Sequence, residues 1–293
     1  MKRIGLALGG GFVRGAAHIG VLKVLEAEGI RPAAVAGTSA GSIVAALYAA
    51  GYTAAEMERV ALALEPKKVF DGGPVLRLVS LWRVLAALLR RRRGRIDVSA
   101  PLGLLPGAAL EAFLKELFGA RRFDELPLPL LITATDVAGG RRVVFGPSPL
   151  VRDAFVRPAR VPVARAVRAS CAVPGLFEPV RWEDMVLVDG GVREAVPAEA
   201  VRLAGVEVVV AVDVGGRGAA RRPVKDILDL VSEAWELSLT EGKRKELEAH
   251  ADLVLAPAVG NVQPWDFDRI PHCIRAGEEA ACDGLHELRE VLA

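Results

Sequence analysis

A serine set between two glycines, just after a short apolar run, is the first feature of this chain that could do chemistry. Ala33-Ala34-Val35-Ala36 reads as a strand, Gly37-Thr38-Ser39-Ala40-Gly41 has the form G-x-S-x-G, and a helix opens at Ser42. This spacing puts Ser39 on a sharp strand-to-helix turn, where the small residues Gly37 and Gly41 fit. The hydroxyl is lifted out of the sheet toward a helix N-terminus, whose dipole favours negative charge. Such a serine becomes a nucleophile when a base takes its proton.

The base has few candidates. The four histidines are His18, just after a glycine-rich loop, His250, ending a charged helix, and His272 and His286 in a terminal helix. None has a special setting. A triad of Ser39, Asp189 and His250 or His272 would follow the chain order of the α/β-hydrolases, but that fold normally places several strands before its nucleophile. Here one strand precedes the elbow strand. Asp189 ends a short strand and is followed by Gly190 and Gly191, which let its backbone approach another loop closely. Asp136 and Asp213 are rival acids at strand ends, and an ordinary Asp-Gly turn is the plain alternative for Asp189.

The loop Gly9-Gly10-Gly11-Phe12-Val13-Arg14-Gly15 lies between a buried strand, Ile4 to Leu8, and a helix from about Ala16 to Glu28. Such a loop offers backbone N–H groups to an anion. A P-loop is excluded because Gly15-Ala16-Ala17 lacks the Lys and the Ser or Thr. A dinucleotide fingerprint is excluded because Phe12 takes a glycine position and Val35 to Gly37 offer no acid. An oxyanion hole for Ser39 and a tight packing turn remain, and the neighbouring G-x-S-x-G favours the first.

Around these residues, strands alternate with helices. The 293 residues suffice for a full α/β core, and the run from Glu207 to Val214 reads as a central parallel strand. Pro127 to Thr133, Met185 to Val188 and Ala251 to Ala256 are further strands, and Gly139-Gly140 turns a hairpin into Arg141 to Phe145. Pro101 to Pro106 reads as a loop. Thr53 caps a helix, and Ala108 to Phe118, Val163 to Ser170, Val224 to Glu248 and about His272 to Leu292 are helical. No repeat or linker appears, so one α/β domain with a mainly parallel sheet is expected.

The apolar fraction is 52% and the formal net charge +2, which gives no footprint for nucleic acid. The three cysteines, Cys171, Cys273 and Cys282, have no metal spacing and fit a reducing, cytoplasmic compartment. No uncharged run is long enough to cross a bilayer, and the first apolar residues read as a strand, not a leader. One segment, 75–95, has two readings. Its apolar helix carries a narrow stripe of Arg77, Ser80 and Arg83 and ends in Arg90 to Arg93 and Arg95. It is either a cap helix packed on the core or an interfacial helix with a basic end for anionic head groups at the inner membrane face.

Taken together, Gly9 to Gly15 with His18-Ile19-Gly20-Val21-Leu22, Gly37 to Gly41, Ala169-Ser170-Cys171-Ala172-Val173-Pro174, Asp189-Gly190-Gly191 and Trp265-Asp266-Phe267-Asp268-Arg269 resemble the bacterial patatin-like phospholipases. The motifs occur in the family's order and span nearly the whole chain. The resemblance implies one domain over 1–293 with a three-layer α/β/α sandwich around a mostly parallel sheet. It implies hydrolysis of phospholipid or simpler acyl esters by a Ser39–Asp189 dyad without histidine. Gly10, Gly11 and Phe12 would supply the oxyanion hole, Arg14 would shape it, and Gly15, Gly37, Gly41, Gly190 and Gly191 would support the motifs. It implies no metal and no cofactor. Two departures stand out. Phe12 replaces a fourth glycine, so its N–H serves only if the loop conformation suits a side chain. Arg193-Glu194-Ala195-Val196, before Pro197, lacks an asparagine that supports the aspartate in many relatives.

Overall fold

A computed structural model of the chain describes residues 2–71, 102–147, 155–157, 161–215, 237 and 242–293. Among these, the strands in chain order are β1 (Ile4–Leu8), β2 (Ala34–Gly37), β3 (Gly103–Leu105), β4 (Leu130–Asp136), β5 (Arg141–Phe145), β6 (Phe155–Arg157), β7 (Gly175–Phe177), β8 (Val180–Trp182), β9 (Met185–Asp189), β10 (Val208–Val212) and β11 (Leu253–Leu255). The main sheet runs β11-β10-β1-β2-β4-β5-β6, with β9 also on β4 and β8 on β9. From β11 to β4 every pairing is parallel, whereas β5 and β9 lie antiparallel to β4.

The parallel strands are apolar throughout because helices cover both faces. Every residue of β1 and of β10 is buried. Side chains alternate between faces along a strand. Leu6 and Leu8 join one apolar cluster with Ile19, Val44, Met57, Phe113, Val163 and Ile274, while Ala7 joins a second with Ala198, Val201 and Leu247. The first cluster lies under α1 (Ala17–Ala27), α2 (Ala40–Ala49) and the helices Ala54–Leu62, Ala108–Phe118, Val163–Ser170 and Ile270–Asp283. The second lies under Ala198–Leu203 and the helix at 242–250. The architecture is therefore an α/β/α sandwich around a mostly parallel sheet.

Several expectations are refined. The strand read at 127–133 sits at Leu130–Asp136, and the loop read at 101–106 contains β3, which pairs in parallel with β7. The terminal helix is two, Ile270–Asp283 and Leu285–Leu292, joined at Gly284. Thr53 caps its helix as read, through a reciprocal pair with Glu56. The segment 75–95 and most of 224–241 lie outside the described residues.

Candidate active site

Strand register decides where the two key residues meet. On one edge of β4, β2 pairs Gly37 with Ile132, and β9 pairs Asp189 with Ala134. The two strands therefore approach each other along one edge, and their C-terminal ends abut at Thr133. Neither chain can continue, so both leave the sheet there. Thr38 Oγ1 lies 2.7 Å from Thr133 Oγ1, and a Cβ on Gly190 would stand 2.3 Å from that same hydroxyl. This collision brings Ser39 and Asp189 together, although 150 residues separate them in sequence.

The turn at Ser39 is strained, with φ 52° and ψ −124° at a non-glycine residue. Such a conformation costs about 1–3 kcal/mol and persists only when its surroundings fix it. They do. The Ser39 carbonyl accepts from the Ser42 N–H at 2.8 Å and from Ser42 Oγ at 2.6 Å, and the Ser39 N–H donates to Ser170 Oγ at 2.8 Å. The Thr38 N–H donates to the Leu8 carbonyl at 3.0 Å. A Cβ on Gly41 would lie 2.2 Å from that Leu8 carbonyl oxygen, so α2 starts against the end of β1 only because residue 41 has no side chain.

Asp189 is buried, and its Oδ1 accepts from the Gly191 N–H at 2.7 Å. Oδ2 is also buried, and among the described residues it has no standard hydrogen bond. Burial pushes the Asp189 carboxyl up to about 6, partly offset by the Ser39 hydroxyl acting as a hydrogen-bond partner and by the Gly191 N–H. Catalytic hydrogen bonds commonly run long until substrate closes the geometry. Cys171 sits in the same wall, and burial pushes its thiol up to about 12, so it holds its proton. The rival acids are engaged elsewhere: Asp136 with Arg141 at 3.0 Å and Asp213 with Lys243 at 3.0 Å.

Among the described residues, no histidine is a hydrogen-bond partner of Ser39 or Asp189. His18 is buried, and burial lowers its pKa to about 4, so the ring is neutral. Its Nε2 lies 2.8 Å from the Gly9 carbonyl, and as an N–H it donates there. His272 Nε2 lies 3.2 Å from the Val259 carbonyl, and His286 is an exposed partner of Glu290 at 3.5 Å. His250 is half-buried where the helix at 242–250 ends.

The glycine loop comes off β1 beside the elbow. Its Gly10 N–H donates to the Ala195 carbonyl at 2.9 Å, so this N–H is already engaged. Gly10 serves by lacking a side chain, since a Cβ there would stand 3.2 Å from Ser39 Cβ. Gly11 and Phe12 open a 3₁₀ turn, and among the described residues their N–H groups have no backbone acceptor. Phe12 adopts φ 51°, the left-handed conformation that a glycine would take freely. Arg14 is buried and braces the loop, its Nε donating to the Gly11 carbonyl at 3.3 Å.

Beside Ser39 opens an apolar pocket of about 950 Å3, counting the space at its mouth. Ile43, Val44 and Leu47 of α2 line it with Met57, Phe12 and Phe113. The serine, the aspartate and the glycine loop that the sequence singles out come together here. Sequence reading missed Thr38 and Thr133 as braces and gave Ser170 no role. Ser170 was in view as part of a motif. Thr133 carried no signal, because its place follows from strand register.

The sequence profile of the patatin-like phospholipase family matches residues 6–202, which include the loop, the elbow and Asp189. The chain belongs to the patatin-like phospholipase family. It is 34% identical over 196 residues to the uncharacterized protein YqhO of Bacillus subtilis, covering 64% of this chain and 63% of that protein. It is 30% identical over 233 residues to the uncharacterized NTE family protein Rv1063c of Mycobacterium tuberculosis, covering 80% of this chain and 54% of that one. Human patatin-like phospholipase domain-containing protein 6 is 30% identical over 263 residues, covering 89% of this chain and 16% of the human protein. The chain thus spans less than two thirds of each of these relatives. Among solved structures, VipD from Legionella pneumophila aligns over 98% of this chain and 67% of its own, with 14% identity and a TM-score of 0.48. Among the described residues, no helix is long and apolar enough to cross a membrane.

Proposed function

We propose that the protein is a serine lipid acyl hydrolase that works through an acyl-enzyme. The carrying observation is Ser39 on a braced, strained elbow, its hydroxyl a partner of the buried Asp189 carboxyl, at the wall of an apolar pocket. In this reading Ser39 Oγ attacks the carbonyl carbon of an ester, and its proton passes to Asp189. The N–H groups of Gly11 and Phe12 hold the developing oxyanion; one such donor is typically worth about 3 kcal/mol. The carbonyl re-forms as the C–O bond breaks, and Asp189 returns the proton to the departing alcohol. Water then attacks the acyl-serine, giving its proton to Asp189, and the acid leaves as Ser39 is restored. A carboxyl held near 6 by burial suits both halves, since it accepts and releases a proton near neutral pH.

The pocket supports an acyl chain as the group that is transferred. From Ser39 it follows α2 to Leu47, about 12 Å at 1.5 Å per residue. Leu47 and Met57 are both buried, which suits them to close the far end. One extended acyl chain fits such a slot, with the alcohol portion left at the mouth. A thioesterase or acyltransferase would share the nucleophile and differ in donor or acceptor. A non-catalytic lipid binder on the same fold is the other reading, because Phe12 stands in place of a glycine and takes φ 51° there. Labelling with a fluorophosphonate followed by intact-mass measurement tests the reading. One adduct on the wild type, absent in Ser39→Ala, is expected. An unlabelled wild type that also fails to turn over esters would overturn it. Peripheral membrane contact through 75–95 belongs to the same proposal and calls for salt-sensitive binding to anionic vesicles.

A further inference from the structure

The segment between Gly190 and Val196 reaches the turn at Asp189, the elbow and the glycine loop. Its first turn closes behind Asp189, where the N–H groups of Arg193 and Glu194 donate to the Gly190 carbonyl at 3.0 and 2.9 Å. The Glu194 carbonyl then accepts from Thr38 Oγ1 at 2.9 Å, so the Thr38 hydroxyl spends its proton there and accepts from Thr133. One residue on, the Ala195 carbonyl accepts the Gly10 N–H at 2.9 Å. Three consecutive links thus reach the acid, the elbow and the oxyanion loop from one short stretch of backbone.

That stretch is held by the Glu194 side chain. It is 1% exposed, with Oε2 3.0 Å from Arg142 Nη1 on β5 and Oε1 accepting the Ala200 N–H at 3.0 Å. Arg142 also holds Glu199 at 2.7 Å, and Glu246 of the helix at 242–250 is a further side-chain hydrogen-bond partner of Glu194. A buried ion pair is a poor source of net stability, because desolvation offsets most of the attraction. An apolar side chain of similar volume would fill the space but would not fix the height and tilt of two carbonyls. The buried charge makes sense as a means of setting geometry.

We infer that Glu194 is a positioning residue, fixing Ser39, Asp189 and the oxyanion loop in one frame through the carbonyls of Glu194 and Ala195. This stands in place of the asparagine support expected of the family, and it rests on the acyl-hydrolase reading.

The test compares wild type, Thr38→Val, Thr38→Ser, Glu194→Ala, the Thr38→Val/Glu194→Ala double variant and Glu199→Gln. Each is assayed for kcat and KM on p-nitrophenyl butyrate, for the rate of fluorophosphonate labelling and for Tm. Thr38→Val and Glu194→Ala are each expected to lower kcat and labelling rate by about 10- to 100-fold with KM little changed. Thr38→Ser, which keeps the hydroxyl, restores the rate, and Glu199→Gln leaves it near wild type. The double variant is expected to be no worse than the worse single one, because both changes cut the same link. Folded Thr38→Val with kcat within about threefold of wild type, or losses that multiply in the double variant, would overturn the inference. Thr38→Val leaves the Arg142 pair intact, so it decides the matter even where Glu194→Ala fails to fold. A wild type inert to probe and ester would remove the acyl-hydrolase reading, and the inference with it; a labelled wild type with indifferent variants would remove the inference alone.

Discussion

Ser39 and Phe12 both line the apolar pocket, and both are non-glycine residues in left-handed backbone, at φ 52° and 51°. Their supports differ. Ser39 is gripped directly, through its own N–H and its own carbonyl, by Ser170 and Ser42. Phe12 is held at one remove, by His18 on the Gly9 carbonyl, Ala195 on the Gly10 N–H and Arg14 on the Gly11 carbonyl. The elbow needs its strain, because only that turn lifts the hydroxyl from the sheet. The loop needs the conformation but not the side chain, since glycine would adopt it at lower cost. The Phe12 ring is therefore explained by the pocket it lines.

Breaking the elbow side of this comparison gives the largest effect. Ser39→Ala keeps the fold and removes the nucleophile, so turnover of a p-nitrophenyl ester is expected to fall at least about 10⁴-fold. The next effect is on pH. Asp189 must be ionised to accept the serine proton, so kcat/KM is expected to fall as pH drops through about 6, far above an ordinary aspartate. That limb imitates an imidazole, and replacing His250, His272 and His286 in turn is expected to leave it in place. A limb that vanishes with one histidine would contradict the dyad.

The same shift has a cost in stability. A carboxyl whose folded pKa lies above its unfolded value binds its proton more tightly when folded, so stability falls as pH rises from about 4 to about 6. Asp189→Asn, which keeps an acceptor for the Gly191 N–H, is expected to raise Tm at pH 8. The gain, up to about 3 kcal/mol, disappears below pH 4. Thermal melts of both proteins at the two pH values check it, and a variant less stable at pH 8 would refute it.

Smaller effects sharpen the loop side. Met57→Trp fills the far end of the pocket, so kcat/KM for decanoyl esters is expected to fall about 10- to 100-fold with butyryl esters little changed. Phe12→Gly keeps the N–H and relieves the turn, so kcat on a short ester is expected to hold within about threefold. KM for a long-chain ester rises with the loss of ring contact. A collapse of kcat in Phe12→Gly would mean that the ring positions the loop after all.

The candidate residues of the site were legible because they sit in local patterns. Ser39, Asp189 and the loop each announce themselves within a few residues, through glycines that a tight turn requires. Apolar runs at Ile4–Leu8 and Val208–Val212 gave the parallel core for the same local reason. What holds the site together was hidden, because it depends on pairing between distant strands. Nothing near Thr133 indicates that two strand ends will meet over it, and nothing near Glu194 indicates Arg142. The antiparallel course of β9 was equally hidden, as a short apolar strand has no readable direction. The family resemblance implies Gly10 as an N–H donor, and only the contact with Ala195 shows that this donor is engaged.

The central claim is that Ser39 and Asp189 act together as a dyad without histidine. The most direct measurement is steady-state hydrolysis of p-nitrophenyl butyrate by wild type, Ser39→Ala and Asp189→Asn, with folding of each verified by its thermal melt. The account expects wild-type turnover and near-complete loss in both variants, with Asp189→Asn at least as stable as wild type at pH 8. Turnover surviving in folded Asp189→Asn would contradict it.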